Sequence, residues 1–250
     1  MKPLARWTIG PCRPEGFDIL KWAIYNFKNL YPQFDCIICH NQLTKEQLAK
    51  VKNIGVELCD QEKYLNSNLY PPKDGYNVHW KLYPPRLRTE SHELIMDNDI
   101  IFWKHINEID SFLSNSIPLI SQALRRSYGR YNHMVPRPLC INSGIIGLPP
   151  DFDFKEDINE LLNRKGGWLG RNKDFVNFDE QGIVAVVLSK NEHYIIPTTT
   201  VSCLPAKGDL AAVLRNPMLC GIHFIGMNYL DHQWWKFKKN YLSLSGAFFI

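Results

Sequence analysis

The chain has 250 residues, of which 45% are hydrophobic and 22% charged, the balance of a globular protein with a real core. A formal net charge of +4 is too mild for a dedicated nucleic-acid binder, though it suits an anionic ligand. No segment approaches the length of a membrane span, so membrane-spanning functions are excluded from the reading.

The opening stretch, Met1 to Trp7, lacks the apolar core of a signal peptide, and a soluble cytoplasmic protein is expected. Ala5 to Gly10 reads as a first strand, ended by Gly10-Pro11. Glu15 to Leu30 carries Phe17, Leu20, Ala23, Ile24 and Phe27 at helical spacing. Asp35 to His40 is a second strand. It contains Cys36 and Cys39, a CxxC with no second CxxC to complete a zinc site, so neither zinc nor redox chemistry is the expected reading. Seven scattered cysteines, an odd count, suggest free thiols in a reducing compartment. Thr44 begins a helix, and Gln47 three residues on completes a capping box. Gly55 to Cys59 is a third strand, closed by Asp60. Strand alternating with helix predicts a parallel, doubly wound sheet, whose ligands sit beyond the carboxyl ends of the strands. Arg13 and Asp60 fall at or just after such ends.

The most informative stretch follows, His92 to Trp103. Leu94, Ile95 and Met96 form a short apolar run, then come Asp97-Asn98-Asp99 and a second apolar run. A run of that length fits a buried strand. In extended backbone, positions 97 and 99 point to the same side. Unpaired carboxylates resist leaving water, so two of them at the mouth of a buried strand suit a divalent cation with hard oxygen ligands. A divalent cation in turn suits a diphosphate. Asp-Asn-Asp also makes an ordinary turn, since these side chains satisfy nearby backbone groups.

The second half is less regular. Ile117 to Leu124, Pro138 to Leu148, His193 to Ile196 and Leu219 to Phe224 read as strands, and Phe154 to Arg164 and Asp179 to Ser189 as helices. No repeat or linker stands out. One domain over 1–250 is expected, with 1–103 as a nucleotide-binding half and 104–250 as an acceptor-side half. Within it, Asn142-Ser143-Gly144 interrupts an apolar strand with small polar residues, the mark of a bulge or of close backbone approach. Asp179 precedes an apolar helix and reads first as its N-cap; beside a sugar, such a carboxylate can also orient or deprotonate a hydroxyl. His223 lies near the end of a late strand, either a satisfied core residue or a third metal ligand, and Gly226 would let the backbone approach a phosphate.

The ordered set resembles the glycosyltransferases with the A-type nucleotide-sugar fold, and is most similar to the glycogenin and bacterial galactosyltransferase group. The set runs from the first-strand loop at Thr8–Arg13 and Trp80-Lys81-Leu82-Tyr83-Pro84-Pro85-Arg86-Leu87 to Asp97-Asn98-Asp99. Asn142-Ser143-Gly144, Asp179-Glu180-Gln181 and His223-Phe224-Ile225-Gly226 complete it. It covers nearly the whole chain. The resemblance implies a single-domain α/β fold with a mixed, mostly parallel sheet. It implies Mn²⁺ or Mg²⁺ on Asp97, Asp99 and His223, bridging the phosphates of a nucleotide-sugar donor, UDP-linked by preference. By the same resemblance Thr8, Gly10 and Arg13 would lie around base and ribose, and Asp60 at the base edge. Arg86 would reach the donor, with Lys81 as substitute. Asn142, Ser143 and Gly144 would line the sugar pocket, and Asp179 or Glu180 would face the sugar or the hydroxyl of a glycan acceptor. Two positions depart from the pattern. Tyr229 stands where the group often has a phosphate-clamping Lys, with Lys236 as a replacement, and Asp179-Glu180-Gln181 stands for Asp-Gln-Asp.

Other features fit that reading less directly. Arg125, Arg126 and Arg130, interleaved with Tyr128 and Tyr131, read first as a solvated loop; as a functional feature they suit an acceptor-binding edge rather than a nucleic-acid patch. Gly166 to Gly170, with Trp168, reads as a flap that would close over the donor. The basic, aromatic run at 232–239 suits peripheral contact with an anionic membrane, and the tail after it equally suits packing back on the domain. Two competing functions are a nucleotidyltransferase that makes nucleotide sugars and a non-catalytic glycan- or nucleotide-binding protein.

Overall fold

The computed structural model describes residues 1–64, 77–164 and 176–226. The expected flap at 166–170, Tyr229, Lys236 and the run at 232–239 lie outside the described residues. The first half follows the alternation read from the sequence. Strand β1 (Leu4–Ile9) leads into helix α1 (Pro14–Leu30), then β2 (Asp35–His40), α2 (Lys45–Lys52), β3 (Glu57–Asp60) and β4 (Glu93–Met96). The capping box that starts α2 is formed in both directions. Thr44 Oγ1 accepts from the Gln47 amide at 3.2 Å, and Gln47 Oε1 accepts from the Thr44 amide at 3.1 Å.

After β4 come β5 (Ile100–Phe102), α3 (Asn107–Leu113), β6 (Leu119–Gln122), β7 (Ile141–Leu148), α4 (Phe154–Arg164) and α5 (Val176–Leu188). The described chain ends with β8 (Tyr194–Ile196), β9 (Val201–Cys203), α6 (Leu210–Leu214) and β10 (Gly221–His223). A seven-stranded sheet has the order β3-β2-β1-β4-β7-β6-β8. Only β7 runs against the other strands of that sheet. A second sheet, β5-β10-β9, holds three short strands. The architecture is therefore the mixed, mostly parallel sheet flanked by helices that was expected. Its later strands are shorter than their apolar runs. Around Pro138, for example, a turn closes through the Leu139 amide and the Pro136 carbonyl, and β7 begins only at Ile141.

The central strands are buried on both faces, which is why β4 reads as an unbroken apolar run. Leu94 and Met96 pack with Trp7, Phe27 and Phe102 on the α1 side; Ile95 packs with Ile146 and the α5 residues Ile183 to Leu188 on the other. The second half of α5, Ile183 to Leu188, is apolar all round because it is enclosed.

One pair breaks this apolar core. Arg6 of β1 and Glu93 of β4 are both fully buried, with Arg6 Nε 2.8 Å from Glu93 Oε1. The rest of the guanidinium donates to the Pro84 and Pro85 carbonyls at 2.8 and 3.0 Å. Glu93 Oε2 accepts from the Leu87 and Arg88 amides, each at 2.9 Å. The pair thus clamps residues 84–88 onto the sheet. Removing one partner strands a buried charge. Glu93→Gln is expected to cost roughly 3–5 kcal/mol in chemical denaturation, and Arg6→Met/Glu93→Leu less than the two single changes summed. Additive losses would show that the two side chains are not coupled.

Candidate active site

Asp97 is the first residue beyond β4, at the carboxyl edge of the parallel strands. Its amide donates to the Gly144 carbonyl at 2.8 Å, so it faces the early part of β7. Because β7 runs antiparallel, its amino-terminal residues lie at the same sheet edge as the carboxyl ends of its parallel neighbours. That is how Asn142, Ser143 and Gly144 arrive beside Asp97. The β6–β7 register shifts here, between Ile120 and Ser121, so the expected irregularity in the strand is present.

The second sheet brings in the imidazole. His223 pairs with Ile100 across β10 and β5, and the Phe224 amide donates to the Asp99 carbonyl at 3.0 Å. His223 Nε2 lies 3.5 Å from Asp97 Oδ2 and 3.3 Å from Asp99 Oδ1. One ligand atom from each of the three residues lies within 4.8 Å of the others. Asp99 Oδ1 is buried, with the His223 imidazole facing it. Two carboxylates and an imidazole converging at a largely buried point fit a divalent cation. Without one, burial pushes the His223 imidazole down, but the neighbouring Asp99 carboxylate outweighs it and holds the group well above its usual range.

A buried cation lies on the other side of Asp97. Lys81 Nζ is 2.6 Å from Asp97 Oδ1 and 3.3 Å from Glu180 Oε1, and it donates to the Ser143 carbonyl at 3.2 Å. Ser143 Oγ donates to Glu180 Oε2 at 3.0 Å. Burial pushes Lys81 down, yet the two carboxylates more than reverse this and keep it charged. Burial raises Glu180 to about 7, only partly offset by Lys81. Asp97 therefore joins two subsites through its two oxygens.

Helix α5 distributes three consecutive polar side chains in three directions. Asp179 does not cap its helix. The helix starts three residues earlier, at Val176, and the Asp179 carboxylate accepts instead from the Arg130 amide at 2.8 Å and from the Arg130 guanidinium. It fastens the loop before β7 to α5. Glu180 faces Lys81, and Gln181 Oε1 accepts from Asn142 at 2.9 Å.

The other expected site residues are spread along the same edge. Thr8 shares a face of β1 with Arg6, and its buried hydroxyl oxygen has no partner. Gly10 follows β1, and the exposed Arg13 occupies the N-cap position of α1. Asp60 ends β3, three strand spacings or about 14 Å from the end of β4, with Oδ1 accepting from the Glu62 amide. Gly226, at φ +68°, lies three residues beyond His223 in a conformation that favours glycine. Arg86 lies in the same segment as Lys81. Its guanidinium donates to the carbonyls of Arg88, Phe152, Ser91 and Pro149, so it braces loops, and Lys81 is the cation at the carboxylates. Arg126 and Arg130 of the basic patch are likewise bound to main-chain carbonyls and to Asp179.

Two residues were not singled out in the sequence. Gln61 is fully buried, and its Nε2 donates to the carbonyls of Trp80, at 2.6 Å, and Tyr83. Asn41 donates to Gln61 Oε1 at 2.9 Å. The pair fixes the turn that carries Lys81. Two amides just past strand ends carry no local pattern that would have marked them.

The fold is that of the A-type nucleotide-sugar transferases. Among solved structures, the chain superposes on the WbbM bifunctional glycosyltransferase with a TM-score of 0.60 and 13% identity, over 91% of this chain and 46% of that one. It superposes on the glycosyltransferase GlyE of Streptococcus pneumoniae with a TM-score of 0.57 and 12% identity, over 97% of this chain and 61% of that one. The galactosyltransferase LgtC, solved with donor and acceptor sugar analogues, matches with a TM-score of 0.57 and 10% identity over 99% and 96% of the two chains. The chain thus spans about half of WbbM and under two thirds of GlyE. No protein-family profile matches the sequence, and no curated protein matches it. Among the described residues no helix is long and apolar enough to cross a membrane.

The A-type edge leaves no room at Gly144. A Cβ there would lie 2.5 Å from His223 Cε1 and 2.6 Å from Asn142 Oδ1. Gly144→Ala is therefore expected to fold but to weaken Mn²⁺ binding by roughly 10–100-fold in isothermal titration, because the imidazole must move. Unchanged affinity would mean that the ring position is irrelevant to the cation.

Proposed function

We propose that the protein is a metal-dependent glycosyltransferase. It moves a sugar from a nucleoside-diphosphate sugar, UDP-linked by preference, to a hydroxyl of a glycan or similar acceptor. The observation that carries this reading is the convergence of Asp97, Asp99 and His223 on one point, with the buried Asp99 Oδ1 facing the imidazole. These three residues would hold Mn²⁺ or Mg²⁺, which when bound stabilises negative charge on a departing diphosphate. The A-type fold supports a donor laid along the carboxyl edge of the sheet. Residues 1–103 would carry the nucleotide and 104–250 the acceptor.

In this reading the nucleoside lies toward Thr8, Gly10, Arg13 and Asp60, and the diphosphate lies at the carboxylate–imidazole cluster beside Gly226. The sugar occupies the space bordered by Asn142, Ser143 and Gly144. Transfer breaks the bond between the anomeric carbon and the diphosphate oxygen, whose electron pair leaves with the diphosphate. The acceptor oxygen forms the new bond and loses its proton. Lys81 holds Asp97 and Glu180 in place and supplies fixed positive charge in a site shielded from water. Glu180, raised to about 7, is suited to orient the incoming hydroxyl or to exchange a proton with it at neutral pH. Asp179, locked on Arg130, serves as a positioning residue behind it.

With a panel of UDP-sugars and Mn²⁺, the protein is expected to hydrolyse or transfer at least one donor. Chelation should abolish turnover, and Asp99→Ala should lower it roughly 100-fold or more. Lys81→Met should depress kcat more than KM, since its charge acts where the transition state develops. Equal turnover by wild type and Asp99→Ala would reject the metal role.

A further inference from the structure

The CxxC of β2 does not act as a pair. Cys36 and Cys39 are three residues apart on a strand, so their side chains lie on opposite faces. Cys36 packs against the α1-side core, whereas Cys39 belongs to a small cluster with Leu4 and Ile37 on the other face. The thiol that meets Cys39 comes from β3. Cys39 and Cys59 are register partners across β2 and β3, and Cys59 packs against that same cluster.

We propose that Cys39 and Cys59 form an oxidisable dithiol, a covalent modification site separate from the carboxylate–imidazole cluster. Register partners on neighbouring strands lie about 4.8 Å apart. That falls within the Cα separation of about 4.4–6.8 Å that a disulfide can span. The two side chains share one face of the sheet and one small cluster, and Tyr64 lines the same cavity as Cys59. Their accessibility differs in a useful way. Cys39 is fully buried, while Cys59 is half-buried and lines an open surface cavity with Asp60, Lys63, Tyr64 and Arg88. Cys59 is the thiol an outside reagent meets, and Cys39 is the one behind it.

The electrostatics support the same assignment. The hydrogen bond from Cys39 outweighs burial and, with Tyr64 and the nearby Arg6, lowers Cys59 to about 7. The same contact and full burial hold Cys39 high. Burial pushes Cys12 to about 11 and Cys36 to about 12, so these thiols stay protonated at neutral pH.

The reaction needs a low-molecular-weight disulfide as oxidant. The Cys59 thiolate attacks one of its sulfurs, forming a mixed disulfide and releasing one thiolate. The released thiolate takes the Cys39 proton. Cys39 then attacks the Cys59 sulfur, forms the protein disulfide and expels the second thiolate. Two protein thiols lose two electrons in all, and the small disulfide is reduced to two thiol equivalents.

The test treats the full-length reduced protein with oxidised glutathione, then counts thiols and maps tryptic fragments. The free-thiol count should fall from seven to five, with loss of two hydrogens and a link between fragments 29–45 and 53–63. The link should persist in Cys36→Ser, which assigns it to Cys39, and vanish in Cys59→Ser, which alters a half-exposed position. Before oxidation, Cys59 should alkylate at neutral pH about ten-fold faster than the other thiols. Seven retained thiols, a bridge through Cys36, a stable glutathione adduct on Cys59 without the bridge, or any other pairing each overturns the proposal.

Discussion

A lysine ammonium taken out of water must meet anions, and this requirement organises the whole candidate site. Lys81 is buried between Asp97 and Glu180, close to the Ser143 carbonyl. Lys81 and its partners belong to four separate pieces of chain: the turn at 77–82, the end of β4, the early part of β7 and helix α5. The carboxylates need the ammonium as much as it needs them, since an unpaired buried charge costs several kcal/mol. The four pieces are thereby held together by charges that are expensive to separate. Asp97 then extends the cluster. One of its oxygens faces Lys81 and the other faces His223, so the carboxylate–imidazole corner and the basic corner share a carboxylate.

Behind the cluster stands a second set of buried polar groups whose role is support. Arg6 and Glu93 fasten residues 84–88 to the central strands, while Asn41 and Gln61 fasten the turn that carries Lys81. Arg86 ties the same segment to the loop after β7. A segment with little regular structure is thus fixed by side-chain donors reaching main-chain carbonyls. Such fixing keeps a charged group in place without reorganisation at the moment of reaction, which is the basis of electrostatic preorganisation. Arg6 also stands near the Cys39–Cys59 pair, so one buried guanidinium influences both the support of Lys81 and the thiols on the neighbouring strands.

Much of this was legible in the chain. The elements of the first half follow from apolar spacing and from the Thr44–Gln47 box, because those signals lie within a few residues of one another. The Asp97-Asn98-Asp99 stretch announced itself by placing carboxylates against an apolar run. Asp179 misled for a local reason: a carboxylate before an apolar helix looks like a cap, and only the distant Arg130 shows where it binds. The bracing role of Arg86 was not legible either, since two of its four carbonyl partners, Pro149 and Phe152, are more than sixty residues away. The CxxC drew attention to Cys36, when the partner of Cys39 lies on the next strand.

By itself, then, the sequence determined the strand–helix alternation of the first half, a largely parallel sheet and the residue types able to hold a cation, because periodicity and composition act over short range. The tertiary structure alone decided which side chains meet. The reversed direction of β7 brings Asn142 to Gly144 to the edge where Asp97 lies. The pairing of β10 with β5 carries His223 across more than a hundred residues of chain to Asp99. Register between strands distant in sequence depends on how the entire apolar core closes, and no window of the chain contains that information.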